Sequence, residues 1–352
     1  MGNIFRRTSE KAIKVDSANT RDCISPRGAS GLRRLGFKVK LDRLVFCGEG
    51  EASVQPPQGD DVNDDGEGGV VVNEDNFWMH VNGGKHYNDV ARCCMDVAQD
   101  IMMETCGCRW VECTKGRVLC GGEERKDVLV VIPGKGRVDA GIMARSLLMK
   151  NGMRVGSVIN IGERAWEEGW GVIMLAPNFS GSFQSGVAMA TVKGQWEEVV
   201  MPLVRDSKGG SADVGRRKIH ILAHSAGGAQ VVECLRDCAD GGAVGWLGKL
   251  CFTDSTHSLR QVSNEADLRA HLQNSELCRY WRTNSDLFGV EEYPVGSEFD
   301  VTIRDRDGKA EAANKRYWFG RFGTAPTHFC GTPDHASTTW KAEGEIIKFL
   351  FG

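Results

Sequence analysis

Ser225 has the sequence surroundings of a catalytic nucleophile. It is the third residue of 223–228, Ala-His-Ser-Ala-Gly-Gly, which directly follows the apolar run at 219–222. A serine flanked by small residues between a strand and a helix forms a nucleophile elbow, a tight turn that presents the hydroxyl at the edge of a sheet. Ala223 stands where the usual pattern has glycine. The pattern predicts a serine hydrolase with Ser225 as its nucleophile.

His335 is the preferred general base. A serine hydroxyl needs an imidazole that takes its proton and a carboxylate that orients the imidazole. In an α/β hydrolase the acid and then the histidine follow the serine along the chain. Among the histidines downstream of Ser225, His335 ends a Gly-Thr-Pro-Asp-His loop just before the last predicted helix, unlike His257, His271 and His328.

Two carboxylates compete to orient His335. Asp254 ends the predicted strand at 250–253, and Asp286 follows the predicted strand at 279–281. The end of a strand in a parallel sheet suits either role. We prefer Asp254 because its strand is the cleaner apolar run, and Asp286 is the alternative.

Backbone N–H groups near Ser225 are candidates for an oxyanion hole. Such donors usually come from the residue after the serine and from the loop after an earlier strand. Ala226 is the first candidate, and Gly134 or Lys135 is the second, since Pro133 has no N–H.

A structural role for this serine is the main alternative, because a glycine-rich turn is also needed for packing in folds that have lost activity. His224, beside the serine, is predicted to pack or to form a hydrogen bond rather than to act as a second base.

The elements that must position these residues alternate along the chain. Continuous apolar runs predict strands buried on both faces. Alternating strands and helices predict an α/β-hydrolase-like fold, a mostly parallel sheet flanked by helices on both faces. The predicted strands are 128–132, 172–175, 219–222, 250–253 and 279–281, and the predicted helices are 86–106, 139–150, 156–168, 188–204, one that contains 230–237, one that contains Leu268 and Leu272, and 336–349.

The domain organisation is predicted to be simple. Residues 1–30 are polar and basic without a helical or strand period, which favours a disordered arm. Residues 31–352 form one domain with a short hairpin at 35–46. Residues 55–76, rich in aspartate, glutamate and glycine, favour a flexible acidic insertion.

Composition and charge exclude several classes of protein. The net charge of −3 gives no signature of nucleic-acid binding, and no apolar run reaches the ~18 residues of a membrane-spanning helix. The first residues lack the apolar core of a secretory signal, so we expect a cytoplasmic or nuclear protein. Gly2-Asn3 followed by Arg6 and Arg7 partly matches an N-myristoylation signal, but Arg6 stands where serine or threonine is expected. Membrane contact is therefore expected only if Gly2 is myristoylated.

Six of the thirteen cysteines lie between residues 93 and 120. A zinc site would need two closely spaced pairs of ligands, and only Cys108 and Cys113 have such a spacing. We therefore favour buried thiols that act as small apolar side chains, and we expect neither a metal nor a cofactor.

Several of these motifs together resemble the Arb-two (Argonaute-binding protein two) domain family, akin to its co-transcriptional regulator group. The likeness runs from about residue 35 to 351 and is interrupted by the acidic insertion. Its blocks are 131–136, 168–173 with 177–178, 223–228, 253–257, and 331–335 with Trp340.

The resemblance implies an α/β-hydrolase-like fold in which Ser225, Asp254 and His335 fall on the family's serine, aspartate and histidine blocks. The family occurs in proteins that bind Argonaute in small-RNA silencing, in co-transcriptional or splicing regulators, and appended to fungal histone deacetylases. Two hypotheses follow. One is a serine hydrolase acting on an ester, thioester or amide, and the other is a non-catalytic adaptor with Argonaute-like or chromatin-associated partners.

Overall fold

The computed structural model of the protein describes residues 27–48, 69–179, 185–206, 217–238, 244–283, 302–304, 310–312 and 327–352. Its helices are α1 Arg27–Arg34, α2 Phe77–His80, α3 Lys85–Thr105, α4 Arg145–Asn151, α5 Ile159–Glu167, α6 Ser185–Gln195, α7 Met201–Asp206, α8 Ala226–Cys238, α9 Ala266–Gln273 and α10 Thr338–Phe351. Its strands are β1 Phe37–Lys40, β2 Arg43–Phe46, β3 Val70–Val71, β4 Arg109–Cys113, β5 Gly116–Gly121, β6 Asp127–Ile132, β7 Gly171–Met174, β8 Lys218–His224, β9 Leu247–Thr253, β10 Cys278–Arg282, β11 Thr302–Arg304, β12 Ala310–Ala312 and β13 Thr327–Phe329.

The central sheet has the strand order β13-β10-β9-β8-β6-β7-β5-β4 within the described residues. The strands from β13 to β7 are parallel to one another, and the β4–β5 hairpin pairs antiparallel with β7. The carboxyl ends of parallel strands meet at one edge, so the loops after β6, β8 and β9 lie side by side. The predicted α/β-hydrolase-like fold is confirmed.

Side chains of successive residues in β6 enter two separate cores, as the alternation of a strand requires. Leu129 and Val131 pack with residues of α3, α4, α5 and α10. Val128, Val130 and Ile132 pack with residues of α6, α7, α8 and α9. The continuous apolar run of β6 thus reflects burial on both faces of the sheet.

The N-terminal part of the domain starts earlier than predicted. Residues 27–30, which were assigned to the disordered arm, belong to α1. This helix packs closely on α3, since a Cβ atom added to Gly28 would lie 2.7 Å from the backbone nitrogen of Val97. That close packing gives α1 a folded environment which its polar sequence does not reveal. Residues 1–26, which include Gly2, lie outside the described residues.

The predicted hairpin at 35–46 is confirmed as the antiparallel pair β1–β2. The predicted boundary of the acidic insertion, at residue 76, is too late. Within the predicted range 55–76, β3 pairs with β2, and Asn76 binds the backbone of Asn73 and Val71. These hydrogen bonds give residues 69–76 a regular structure that their composition does not indicate. Residues 55–68 lie outside the described residues.

The cysteine-rich stretch forms the end of α3 and the β4–β5 hairpin, which was not predicted. Cys94, Cys106, Cys108 and Cys120 are buried, which confirms the interpretation of these thiols as core side chains. Burial raises the pKa of the Cys120 thiol well above its usual value, so it stays protonated.

The helix predicted at 139–150 is wrong over its first half, since α4 begins only at Arg145. Gly141 has a φ of 73°, and Ile142 forms a bridge with Ser157, so this segment is an irregular loop. A side chain at 141 would collide with the sulfur atoms of Met102 and Met174, at 2.7 and 2.6 Å.

Among the residues described, no helix is both long enough and apolar enough to cross a membrane.

Candidate active site

Ser225 lies on a sharp turn between β8 and α8. Its φ of 52° is in the left-handed region, which residues other than glycine seldom adopt. The Ser225 N–H donates to the carbonyl of Thr253 at 2.9 Å, and the Ser225 carbonyl accepts from the N–H of Thr256 at 3.0 Å. These bonds hold the strained turn, and the predicted elbow is confirmed as a strand–turn–helix.

Glycine at 227 lets α8 begin directly over the end of β6. A Cβ atom there would lie 2.5 Å from the carbonyl oxygen of Ile132 and 2.6 Å from that of Pro133. The small residues of the elbow therefore serve the close passage between helix and strand that the motif implies.

Asp254 and His335 form a direct pair. Oδ2 of Asp254 lies 2.5 Å from Nδ1 of His335, although the two residues are 81 positions apart. Asp254 directly follows β9 and has a φ of 39°, and its N–H donates to the carbonyl of Trp281 on β10 at 2.7 Å. His335 begins the short turn before α10. The preference for Asp254 as partner of His335 agrees with this geometry, and Asp286 lies outside the described residues.

The Asp254 carboxyl is held in its ionised form. Burial raises its pKa, but the hydrogen bond and the charge of His335, with a hydrogen bond from Thr283, outweigh burial and hold the pKa of Asp254 below its usual value. An ionised carboxylate at this position fixes the proton of His335 on Nδ1 and leaves Nε2 available as a base.

His224, beside the nucleophile, is buried and neutral. Its Nδ1 lies 3.1 Å from the hydroxyl of Thr253 and 3.5 Å from that of Thr339. Burial, and secondarily the charge of His335, lower the pKa of His224 to about 4. The predicted packing and hydrogen-bonding role is confirmed. The rings of His224 and His335 also contact each other, with centroids 4.7 Å apart.

The loop after β6 lies against the side chain of Ser225. A Cβ atom added to Gly134 would lie 2.9 Å from Cβ and 3.4 Å from Oγ of Ser225. The loop that holds the predicted oxyanion donors therefore passes close to the Ser225 side chain. Ala226 is the first residue of α8, whose leading N–H groups have no partner within the helix. Lys135 is exposed on the same loop.

Asn178 fixes that loop, a role the sequence analysis missed. Its Nδ2 donates to the carbonyls of Gly134 at 3.0 Å and Val138 at 3.2 Å, and its Oδ1 accepts from the N–H of Gly136 at 3.3 Å. It is buried in the turn that follows β7. The sequence shows an asparagine shortly after a buried strand, but it does not show the remote loop that this asparagine binds.

Ser225 and His335 are close to the same residues without a direct bond. In the part of the chain that the structure describes, the Ser225 hydroxyl forms no hydrogen bond with His335. The Asp254–His335 pair instead reaches the elbow through the ring of His224. Catalytic hydrogen bonds are often long without substrate and tighten when it binds. The contact between Ser225 and His335 stays a prediction.

Comparison with known proteins shows partial similarities. No family model matches the sequence. A stretch of 130 residues is 31% identical to a FAM172 family protein homolog of Caenorhabditis elegans, which is 37% of this chain and 38% of that protein. The match thus spans little more than a third of that relative's length.

Three solved structures are similar at low sequence identity. A histone deacetylase from Saccharomyces cerevisiae is 11% identical with a TM-score of 0.45, and the alignment covers 76% of this chain and 99% of that one. A serine hydrolase from Cycloclasticus zankles is 9% identical with a TM-score of 0.35, over 68% and 95% of the two chains. An esterase from Pyrobaculum calidifontis is 12% identical with a TM-score of 0.31, over 56% and 73%. The strand order and parallel pairing of its own sheet give this protein an α/β-hydrolase-like fold, and a 130-residue stretch of it is similar in sequence to a FAM172 family protein homolog.

Proposed function

We propose that this protein is a serine hydrolase of the carboxylic-ester type, cleaving an ester, thioester or amide, within an Arb-two-like domain. The observation that carries the proposal is the Asp254–His335 pair, 2.5 Å apart, at the edge of the sheet where the Ser225 elbow emerges. Residues 29 to 110 positions apart lie at that edge, in the chain order of an α/β hydrolase.

Ser225, His335 and Asp254 then have one task each. Ser225 Oγ attacks the carbonyl carbon of the substrate while its proton passes to Nε2 of His335. The Asp254 carboxylate accepts a hydrogen bond from the Nδ1–H of His335 and stabilises the imidazolium that forms. The leaving alcohol, thiol or amine takes the proton from His335, and an acyl ester remains on Ser225. A water molecule, activated by the same imidazole, then releases the acid.

The negative charge that develops on the carbonyl oxygen is stabilised by backbone N–H groups. The N–H of Ala226 approaches from the start of α8, and that of Gly134 or Lys135 from the loop against Ser225. Removing one such donor typically costs ~10²–10³ in kcat.

A fluorophosphonate probe tests this proposal. Such a probe loses fluoride to an activated serine and leaves a stable phosphonate ester. We expect labelling at Ser225, identified by peptide mass spectrometry, and its loss in Ser225→Ala without loss of folding. His335→Ala is expected to reduce labelling about as much, because triad members act as a unit.

Ser258→Ala is the matched control, because Ser258 caps a 3-10 turn and its hydroxyl accepts from the N–H of Arg260. Its labelling should equal that of the wild type. If folded wild-type protein resists several probes of different chain length, the hydrolase proposal is wrong.

A non-catalytic adaptor is the second candidate. It is favoured by one observation: among the described residues, no hydrogen bond joins the side chains of Ser225 and His335. The resemblance to the Arb-two family supplies the partner class, Argonaute-like or chromatin-associated proteins in the cytoplasm or nucleus. Such an adaptor should capture the same partners with and without Ser225→Ala, whereas loss of partners in that variant would argue against it.

A further inference from the structure

His335 has little support from its own segment. Its side chain is 47% exposed, and it begins a three-residue turn between a loop and α10. The contacts that orient its ring in the described structure are the hydrogen bond to Asp254 and the packing against His224. A base must be held within a few tenths of an ångström of its productive position, so both contacts bear on its reactivity.

His224 is well suited to support that ring because it is itself firmly held. It is 3% exposed at the end of β8, next to Thr253 in the register of β8 with β9. Its Nδ1 lies 3.1 Å from the Thr253 hydroxyl, which lies 2.8 Å from the hydroxyl of Thr339 on α10. The three side chains form a buried chain of hydrogen bonds from the nucleophile strand to the helix that follows His335.

The neutral state of His224 is needed for such a contact. Its ring centroid lies 4.7 Å from that of His335, with planes tilted by 32°. Two imidazolium rings at this separation would repel each other. Burial and the charge of His335 lower the pKa of His224 to about 4, so His224 stays neutral near neutral pH.

We propose that His224 is a positioning residue for the general base, whose buried ring, tied to Thr253 and Thr339, fixes the orientation of His335 toward Ser225. The inference rests on the proposed hydrolase function. His224 does not touch the reacting atoms, and it acts through His335.

The test measures the rate of fluorophosphonate labelling of full-length variants and their steady-state kinetics on a simple ester such as p-nitrophenyl acetate. His224→Ala is expected to lower the labelling rate and kcat by roughly tenfold with little change in KM, because a misplaced base weakens the reactive geometry rather than binding. His224→Phe keeps a ring against His335 but loses the hydrogen bonds to Thr253 and Thr339, so it should recover only part of that loss.

His220 is the matched control. It lies on the same strand, it is 7% exposed, and burial lowers its pKa to about 4 as well, but it packs on Trp170 at the opposite end of β8. His220→Ala should destabilise the protein comparably while leaving the labelling rate of folded protein within about twofold. If His224→Ala does not fold, Thr339→Val, which removes the anchor on α10, should still lower kcat by about threefold.

Equal labelling rates for the wild type and His224→Ala, or equal losses in His224→Ala, His224→Phe and His220→Ala, would overturn the positioning role. In both cases the labelled wild type would leave the hydrolase proposal intact. An unlabelled wild type would overturn both proposals at once.

Discussion

Ser225 and Asp254 share a backbone strain that their neighbours enforce. Both have positive φ, 52° and 39°, and in the described chain the other such residues that are not glycine are Leu41 and Asp42, in a hairpin turn. The strained conformations cost of order 1–3 kcal/mol each and persist only where surrounding bonds over-determine them. Here the two N–H groups bind Thr253 and Trp281, at 2.9 and 2.7 Å. The strain thus occurs at the two strand ends that carry the candidate chemistry.

Asp254→Asn separates the charge of this residue from its shape. An amide donor would face Nδ1 of His335 and favour the wrong tautomer, so labelling of Ser225 should fall by roughly 10³-fold. The melting temperature should change by only a few degrees, because size and packing are kept. The measurement is the second-order labelling rate beside a thermal melt. Labelling at the wild-type rate would instead return Asp286 to consideration as the orienting acid.

The individual site residues differ in how far the sequence could predict them. Ser225, His335 and Asp254 follow from chain order and from their positions at the ends of elements. Asn178 could not be predicted as a loop anchor, because its partners at 134–138 lie about 40 residues away. The contact of His224 with Thr339 spans 115 residues. Local sequence does not encode which remote backbone or hydroxyl groups a buried polar side chain meets.

At the scale of elements, the strands buried on both faces were predicted best. The runs in β6, β7, β8 and β9 contain apolar residues in succession, and no solvated face interrupts them. The β4–β5 hairpin was missed because β4 is only partly buried and carries arginine and glutamate. The loop at 139–144 was mistaken for helix because its apolar residues pack without a helical backbone.

Asn178→Ala tests whether the oxyanion loop depends on its anchor. The substitution leaves the carbonyls of Gly134 and Val138 without the Asn178 donor, so the loop should move away from Ser225. We expect labelling to fall about tenfold, with a loss of roughly 1–3 kcal/mol in the free energy of unfolding. Urea unfolding monitored by circular dichroism gives the second quantity.

Asn88→Ala is the control for that variant. Asn88 is partly exposed on α3 and binds Gly84 and Arg145, away from the loop after β6. Its labelling rate should match the wild type. A full labelling rate in Asn178→Ala would mean that the loop keeps its place without the anchor.

At the scale of the whole molecule, the sheet brings the candidate nucleophile Ser225, the Asp254–His335 pair and the loop after β6 from four parts of the chain to a single edge. Strand order explains this convergence, because β8 lies between β6 and β9 and is parallel to both. The sequence predicts the parallel sheet from the alternation of elements. It does not predict that α1 completes the core under α3, since the glycines of α1 carry no hydrophobic signal.

Buried histidines should also make the stability of the whole domain depend on pH. Burial lowers the pKa of both His220 and His224 to about 4, whereas a histidine in the unfolded chain has a pKa of about 6.5. Between these values the unfolded chain binds protons that the folded chain does not. The free energy of unfolding is therefore highest above pH 6.5 and falls as the pH decreases toward 4, by up to roughly 3 kcal/mol for each histidine.

Asp96 opposes this trend, because burial and the nearby Asp100 raise its pKa to about 6. Its folded form binds a proton between pH 6 and 4 that the unfolded form has lost, so its stabilising contribution is greatest at low pH. One carboxyl cannot offset two histidines, and the net loss of stability on acidification should remain.

Urea unfolding from pH 7 to pH 5 measures directly how the free energy of unfolding changes with pH. His220→Gln should make that slope shallower by removing one proton uptake, and Asp96→Asn should make it steeper while raising stability at pH 7. A slope that is the same in all three proteins would mean that these groups titrate alike in the folded and unfolded chains.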